Sequence, residues 1–229
     1  MKDMESILNI FRTEVTTASQ AFFAWKTIHN MAASDKEMYK SINDNALSWK
    51  IITHSLQTTY FITLGRIFDV EGKAFSIHAF LRACIDNIDQ FGKKALRHRK
   101  IKSLSGEEPT WLNEYIENAY VPVNGDFLML KGETSKRQKE YEAIYRPIRN
   151  EIIAHKDKQR IDTVDELFGQ TNIGQIEELL QFLYQVEQIV CNLLFDGRLH
   201  KIGDLSFNKE DYVRRDIESM LQKLKTQHK

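Results

Sequence analysis

Between Ile173 and Leu194, apolar side chains return every three or four positions: Ile173, Ile176, Leu179, Leu180, Leu183, Val186, Ile189, Val190, Leu193 and Leu194. That is the period of a helix with one face turned to a core, not the alternation of a half-buried strand. Asn172 before the run, with Gln175 three residues on, is placed to cap the first free amides. Asp196-Gly197 closes it, since glycine takes a left-handed conformation at no steric cost. Only 3 prolines and 10 glycines punctuate the 229 residues. That is too little punctuation for the many turns of a β protein.

The same period recurs along the chain. Ile7, Phe11, Val15, Phe22 and Trp25 mark a first helix ending near Asn30 to Ser34. A second starts near Asp35 or Lys36, with a break indicated around Asn43 to Asn45. It continues through Ile52, Leu56, Tyr60, Leu64, Ile67 and Phe68 to about Asp69–Gly72. Ser76 has the chemistry of an N-cap for a third helix carrying Ile77, Phe80, Leu81, Cys84, Ile85, Ile88 and Phe91. That helix is expected to run on into the basic stretch from Lys93 to Lys102. Pro109 suits the first turn of a short fourth helix through Trp111 and Tyr115. Residues Val121 to Gly125 read as a loop. Asp126 or Ser135 then opens a fifth helix reaching about Lys156, kinked at Pro147. Thr163 and Glu166 have capping-box spacing for a short turn. A last helix from about Asn208 turns Tyr212, Ile217 and Leu221 inward. With no repeat or linker to divide it, the chain reads as one all-α domain over 1–229. The expected architecture is an up-and-down bundle of four long helices with short helical additions.

Composition narrows the function little. Acidic and basic residues balance at 32 each, so net charge names no partner. Cys84 and Cys191 form no CxxC pair, and they read as reduced thiols of a cytoplasmic protein. No apolar run is long enough to cross a bilayer, and no leader is expected from the charged start Met1-Lys2-Asp3-Met4-Glu5. His29, His54, His78, His200 and His228 lack metal-ligand spacing, so neither metal nor cofactor is expected. Glycine-rich phosphate loops and nucleophile elbows are absent.

Chemistry concentrates in Arg149-Asn150-Glu151-Ile152-Ile153-Ala154-His155. On a helix, Arg149 and His155 lie on one slanting stripe, near enough for the guanidinium to approach the imidazole. Glu151 sits four residues before His155 and can reach its ring. Histidine exchanges protons near neutral pH, and arginine stabilises charge on non-bridging phosphate oxygens. With RNA, the substrate's own 2′-hydroxyl can be the nucleophile. Asn150 can hold a phosphate, a hydroxyl or the ring. A purely structural role fits the same spacing: a histidine cation in a helix's last turn faces free carbonyls, and Arg149 can pair with a carboxylate.

This run resembles the signature of the HEPN superfamily: an arginine, a polar neighbour, and a histidine after four to six residues, here five. Leu64-Gly65-Arg66-Ile67-Phe68-Asp69 followed by Ser76-Ile77-His78-Ala79-Phe80-Leu81 resembles the AbiU-type abortive-infection branch. The resemblance implies a helical bundle of HEPN type that pairs into a homodimer, with two motifs facing one cleft. It implies a metal-independent endoribonuclease of phage-defence or toxin type that leaves cyclic phosphate ends. His155 would then be the acid–base group, Arg149 the phosphate stabiliser and Asn150 the positioning group. An antitoxin or another protein partner is compatible with that role. Some HEPN proteins lack nuclease activity, so a non-catalytic interaction or nucleotide-binding module stays open.

Lys93, Lys94, Arg97, Arg99 and Lys100 form the densest basic stretch and can track an RNA backbone. The alternative is a solvated helix face balanced by Glu107 and Glu108. Arg66 with Asp69 reads as a helix-end ion pair rather than a site.

Overall fold

A computed structural model describes residues 3–70, 75–104, 108–148, 172–207 and 209–226. Among these residues there are nine α-helices and no strand. They are α1 (Met4–Ser34), α2 (Lys36–Asn43), α3 (Ala46–Ile67), α4 (Ile77–Asp86), α5 (Lys93–Ser103), α6 (Leu112–Asn118), α7 (Asn124–Ile148), α8 (Ile173–Asp196) and α9 (Lys209–Thr226). None is long and apolar enough to cross a membrane.

Helix α1 starts where the Asp3 carboxylate accepts from the amides of Glu5 and Ser6, both at 3.2 Å. Its inward stripe includes Met4, Leu8, Phe11, Val15 and Phe22, all fully buried. Contacts fix the direction of each neighbour. Glu14 meets Arg66 and Phe22 meets Tyr60, so α3 runs antiparallel to α1. Arg12 pairs with Glu187 and Lys26 with Glu177, so α8 also opposes α1. Phe61 lies near Tyr145 and Phe68 stacks on Tyr141, so α7 opposes α3. Arg137 reaches Glu178 and Tyr145 reaches Asn172, so α7 opposes α8. Helices α1, α3, α7 and α8 therefore form an up-and-down all-α bundle. Helix α4 joins through Phe11 and Phe80, stacked at 4.3 Å, and α9 packs along α1. Two smaller apolar clusters extend the core. One joins Ile28, Met38 and Leu221, and the other joins Leu96, Leu112 and Ile116.

Local signals place several boundaries. Ser76 accepts from the Ala79 amide at 3.4 Å, and Asn172 accepts from the Gly174 amide at 2.9 Å. The second helix breaks into α2 and α3 at Asp44–Asn45.

Four expectations need correction. The third helix does not continue into the basic stretch. The Asn87 side chain donates to the Ala83 carbonyl at 2.8 Å, a 3-10 turn spans Ile88–Phe91, and extended Gly92 opens α5. Pro109 precedes α6 rather than entering it, and its carbonyl accepts from the Leu112 amide at 3.0 Å. Helix α7 starts at Asn124, earlier than expected, because the Asp126 carboxylate holds the Val123 amide at 2.8 Å. Ser135 is no cap, since its hydroxyl donates to the Lys131 carbonyl in mid-helix. Lastly, Tyr212 is 70% exposed, because the inward stripe of α9 runs through Ile217, Leu221 and Leu224. Its ring instead carries the Arg215 guanidinium, 5.2 Å from the centroid. The expected extension of the fifth helix to Lys156 and the Thr163–Glu166 turn lie outside the described residues.

Gly197 ends α8 with φ 56° and ψ 40°, a left-handed conformation that costs a residue bearing a Cβ about 1–2 kcal/mol. A Cβ there would also stand 2.7 Å from the Ala119 Cβ and 2.9 Å from Leu96 Cδ2. Gly197→Ala should therefore lower the unfolding free energy by about 2–4 kcal/mol in urea titration. A change below about 0.5 kcal/mol would show that this corner is not tightly packed.

Candidate functional site

Arg149, Asn150 and His155 lie outside the described residues, as does Glu151. The residues on either side of them are described, and they meet. Tyr145, in the last turn of α7, is 1% exposed. Its hydroxyl donates to the Asn172 carbonyl at 3.2 Å and lies 3.4 Å from Gln175 Oε1. Burial pushes the Tyr145 phenol up to about 12, so it stays a donor through the neutral range. Around it, Tyr141 stacks at 6.1 Å and Phe61 lies at 6.4 Å. Just below, Gln138 donates to the Phe68 carbonyl at 2.8 Å, which ties α7 to the end of α3. A buried tyrosine thus ties the last turn of α7, which precedes the motif in sequence, to Asn172 at the start of α8, which follows it.

The basic stretch on α5 is largely occupied by the protein itself. Lys93 donates to the Glu117 carbonyl at 2.6 Å. Arg97 bonds to Glu108 and Asn113. Arg99 turns inward, donating to the carbonyls of Leu194 at 3.0 Å and Gln90 at 2.7 Å. Lys100 pairs with Asp196 at 2.7 Å and lies over the Tyr115 ring. Burial alone would lower the Lys100 ammonium, but the hydrogen bond and charge of Asp196, with Tyr115, together outweigh it and hold the value above that of a free lysine. Lys94 is exposed on the outer face. Helix α5 is therefore as much a clamp on α6 and α8 as a cationic surface.

Arg66 closes onto Glu14 of α1 at 2.8 and 3.0 Å, a two-donor pair onto one oxygen. Sequence reading missed a deeper pair. Glu187, 0% exposed, accepts from Arg12 Nε at 2.7 Å, while Arg12 Nη2 reaches Cys191 Sγ at 3.1 Å. Burial pushes the Cys191 and Cys84 thiols up, against reactive-thiolate chemistry.

Several clefts open among the described residues, two of them lined by charged or aromatic side chains away from the α1–α3–α9 groove. A cleft of about 650 Å³ between α4 and α7 is lined by Asp69, His78, Arg82, Asp86 and Lys131. Another, of about 380 Å³ at the α6–α8 corner, is lined by Trp111, Glu114, Tyr115, Asn118 and Arg198. Neither was visible in the sequence. The only signal for the second was an aromatic pair spaced four residues apart on a short helix. Among the described residues, no three His, Cys, Asp or Glu side chains converge as metal ligands would.

Tyr145→Phe should cost about 1 kcal/mol of stability, the net value of one buried hydrogen bond. Hydrogen exchange should quicken at the amides opening α8 and stay unchanged in α1. Equal exchange in both proteins would show that this hydroxyl does not tie α7 to α8.

The HEPN family model described as AbiU2 matches residues 1–220, nearly the whole chain. No curated protein and no solved structure matches it.

Proposed function

Because the chain belongs to the HEPN family AbiU2, we propose that it is a metal-independent endoribonuclease of the phage-defence or toxin type. The observation that carries the reading is the spacing of Arg149 and His155 inside the matched span. His155 takes the proton from a substrate 2′-hydroxyl as it attacks the adjacent phosphorus, and a proton is returned to the departing 5′-oxygen. The products are a 2′,3′-cyclic phosphate and a 5′-hydroxyl. Arg149 stabilises the charge on the non-bridging oxygens, and Asn150 positions the phosphate or the imidazole. A homodimer brings two such motifs to one cleft, and an antitoxin or similar protein holds the activity in check. The contact between Tyr145, before the motif, and Asn172, after it, supports this reading by tying the flanking helices α7 and α8 together.

A second reading is a non-catalytic interaction or nucleotide-binding module. It is favoured by one observation: Lys93, Arg97, Arg99 and Lys100 already hold partners within the chain, which leaves fewer cations for RNA.

Cleavage of mixed cellular RNA in the presence of a chelator tests the first reading. His155→Ala should lose about 10²-fold or more in rate, the usual contribution of a general acid–base group. Arg149→Ala should lose a comparable factor, with unchanged helical content. A His155→Ala protein that cleaves like the wild type would overturn the assignment. Wild-type RNA binding without cleavage would favour the second reading.

A further inference from the structure

Trp111 is 48% exposed at the start of α6, although the indole is among the most costly side chains to leave in water. Its ring is nonetheless held in place. It meets the Tyr115 ring edge-to-face at 5.7 Å and 76°. Tyr115 is itself fixed, since its hydroxyl donates to the Asp196 carbonyl at 2.9 Å and Lys100 lies 5.1 Å from its centroid. An oriented aromatic face beside an open cleft is a stacking platform for a planar partner.

The charges around the cleft say which partner fits. Asp196 is neutralised by Lys100. The carboxylate of Glu114 and the guanidinium of Arg198 form no ion pair among the described residues, so one free acceptor and one free cation flank the platform. A base offers N–H donors to the carboxylate, and its phosphate offers charge to the arginine. Lys94 adds one exposed cation on α5, which packs on α6. A purely apolar peptide would leave both charges unused.

We infer that the α6–α8 corner is a single-stranded RNA subsite in which one base stacks on Trp111 and its flanking phosphate meets Arg198. The subsite rests on the ribonuclease reading and adds to it a place where substrate is gripped outside the Arg149–His155 motif. Tyr115 is a positioning residue, because it orients the indole.

The test is fluorescence anisotropy of labelled, uncleavable 2′-O-methyl oligoribonucleotides against the full chain over a salt series. Trp111→Ala should bind about 5- to 150-fold more weakly, the range for losing one stacked base. Its dependence on salt should match the wild type, since stacking releases no counterions. Trp111→Phe should recover most of the affinity. Arg198→Ala should flatten the salt dependence by roughly one phosphate contact, about 0.7 in slope. If the wild type binds and Trp111→Ala binds equally well, the subsite is wrong while the ribonuclease reading stands. Should the wild type bind no oligonucleotide while cleaving cellular RNA, the subsite alone is again overturned. Neither binding nor cleavage would overturn both.

Discussion

The bundle depends on α1. Its apolar face is buried from Met4 to Ile28, and α3, α4, α8 and α9 are all laid against it. Burying an aliphatic or aromatic side chain contributes about 1.5–3 kcal/mol, so a stripe this long dominates placement of its neighbours. Its charged contacts then set register rather than stability. Arg12 to Glu187 and Lys26 to Glu177 pin α8 at two heights, and Glu14 to Arg66 pins α3. Glu187 is the exacting one: a carboxylate 0% exposed is tolerable only while Arg12 and its neighbours satisfy it.

That register carries through to the helices that flank the Arg149–His155 run in sequence. With α3 and α8 fixed against α1, α7 closes the bundle between them, and Tyr145 lands against Asn172. The described residues on either side of the Arg149–His155 run are therefore held against each other, the kind of support that a precisely positioned site needs. The α5–α6 corner sits apart, held to α8 by Lys100, Arg99 and the tight approach at Gly197. It presents a surface over its own small apolar cluster of Leu96, Leu112 and Ile116.

What could be read from the chain follows the range of the forces involved. The caps at Ser76 and Asn172 and the left-handed stop at Gly197 were legible because each is decided within a few residues. The break at Asn87 was hidden, because the apolar period runs on through Ile88 and Phe91 while the Asn87 side-chain amide joins its own backbone amide on the Ala83 carbonyl. The outward turn of Tyr212 was hidden because it lies beside the true stripe of α9. For the site, Arg149 and His155 lie outside the described residues, and the use of the α5 cations was not legible. Lys100 meets Asp196 and Arg99 meets the Leu194 carbonyl, partners that sequence proximity does not reveal.

The most direct measurement is the chemical identity of the ends left on a defined single-stranded RNA cut by the wild-type protein in the presence of a chelator. Attack by the 2′-hydroxyl leaves a 2′,3′-cyclic phosphate on one fragment and a 5′-hydroxyl on the other, and a 2′-deoxy substitution at the scissile nucleotide should abolish the cut. Fragments ending in 3′-hydroxyl and 5′-phosphate, or cleavage that survives the 2′-deoxy substitution, would contradict the assigned roles of Arg149 and His155.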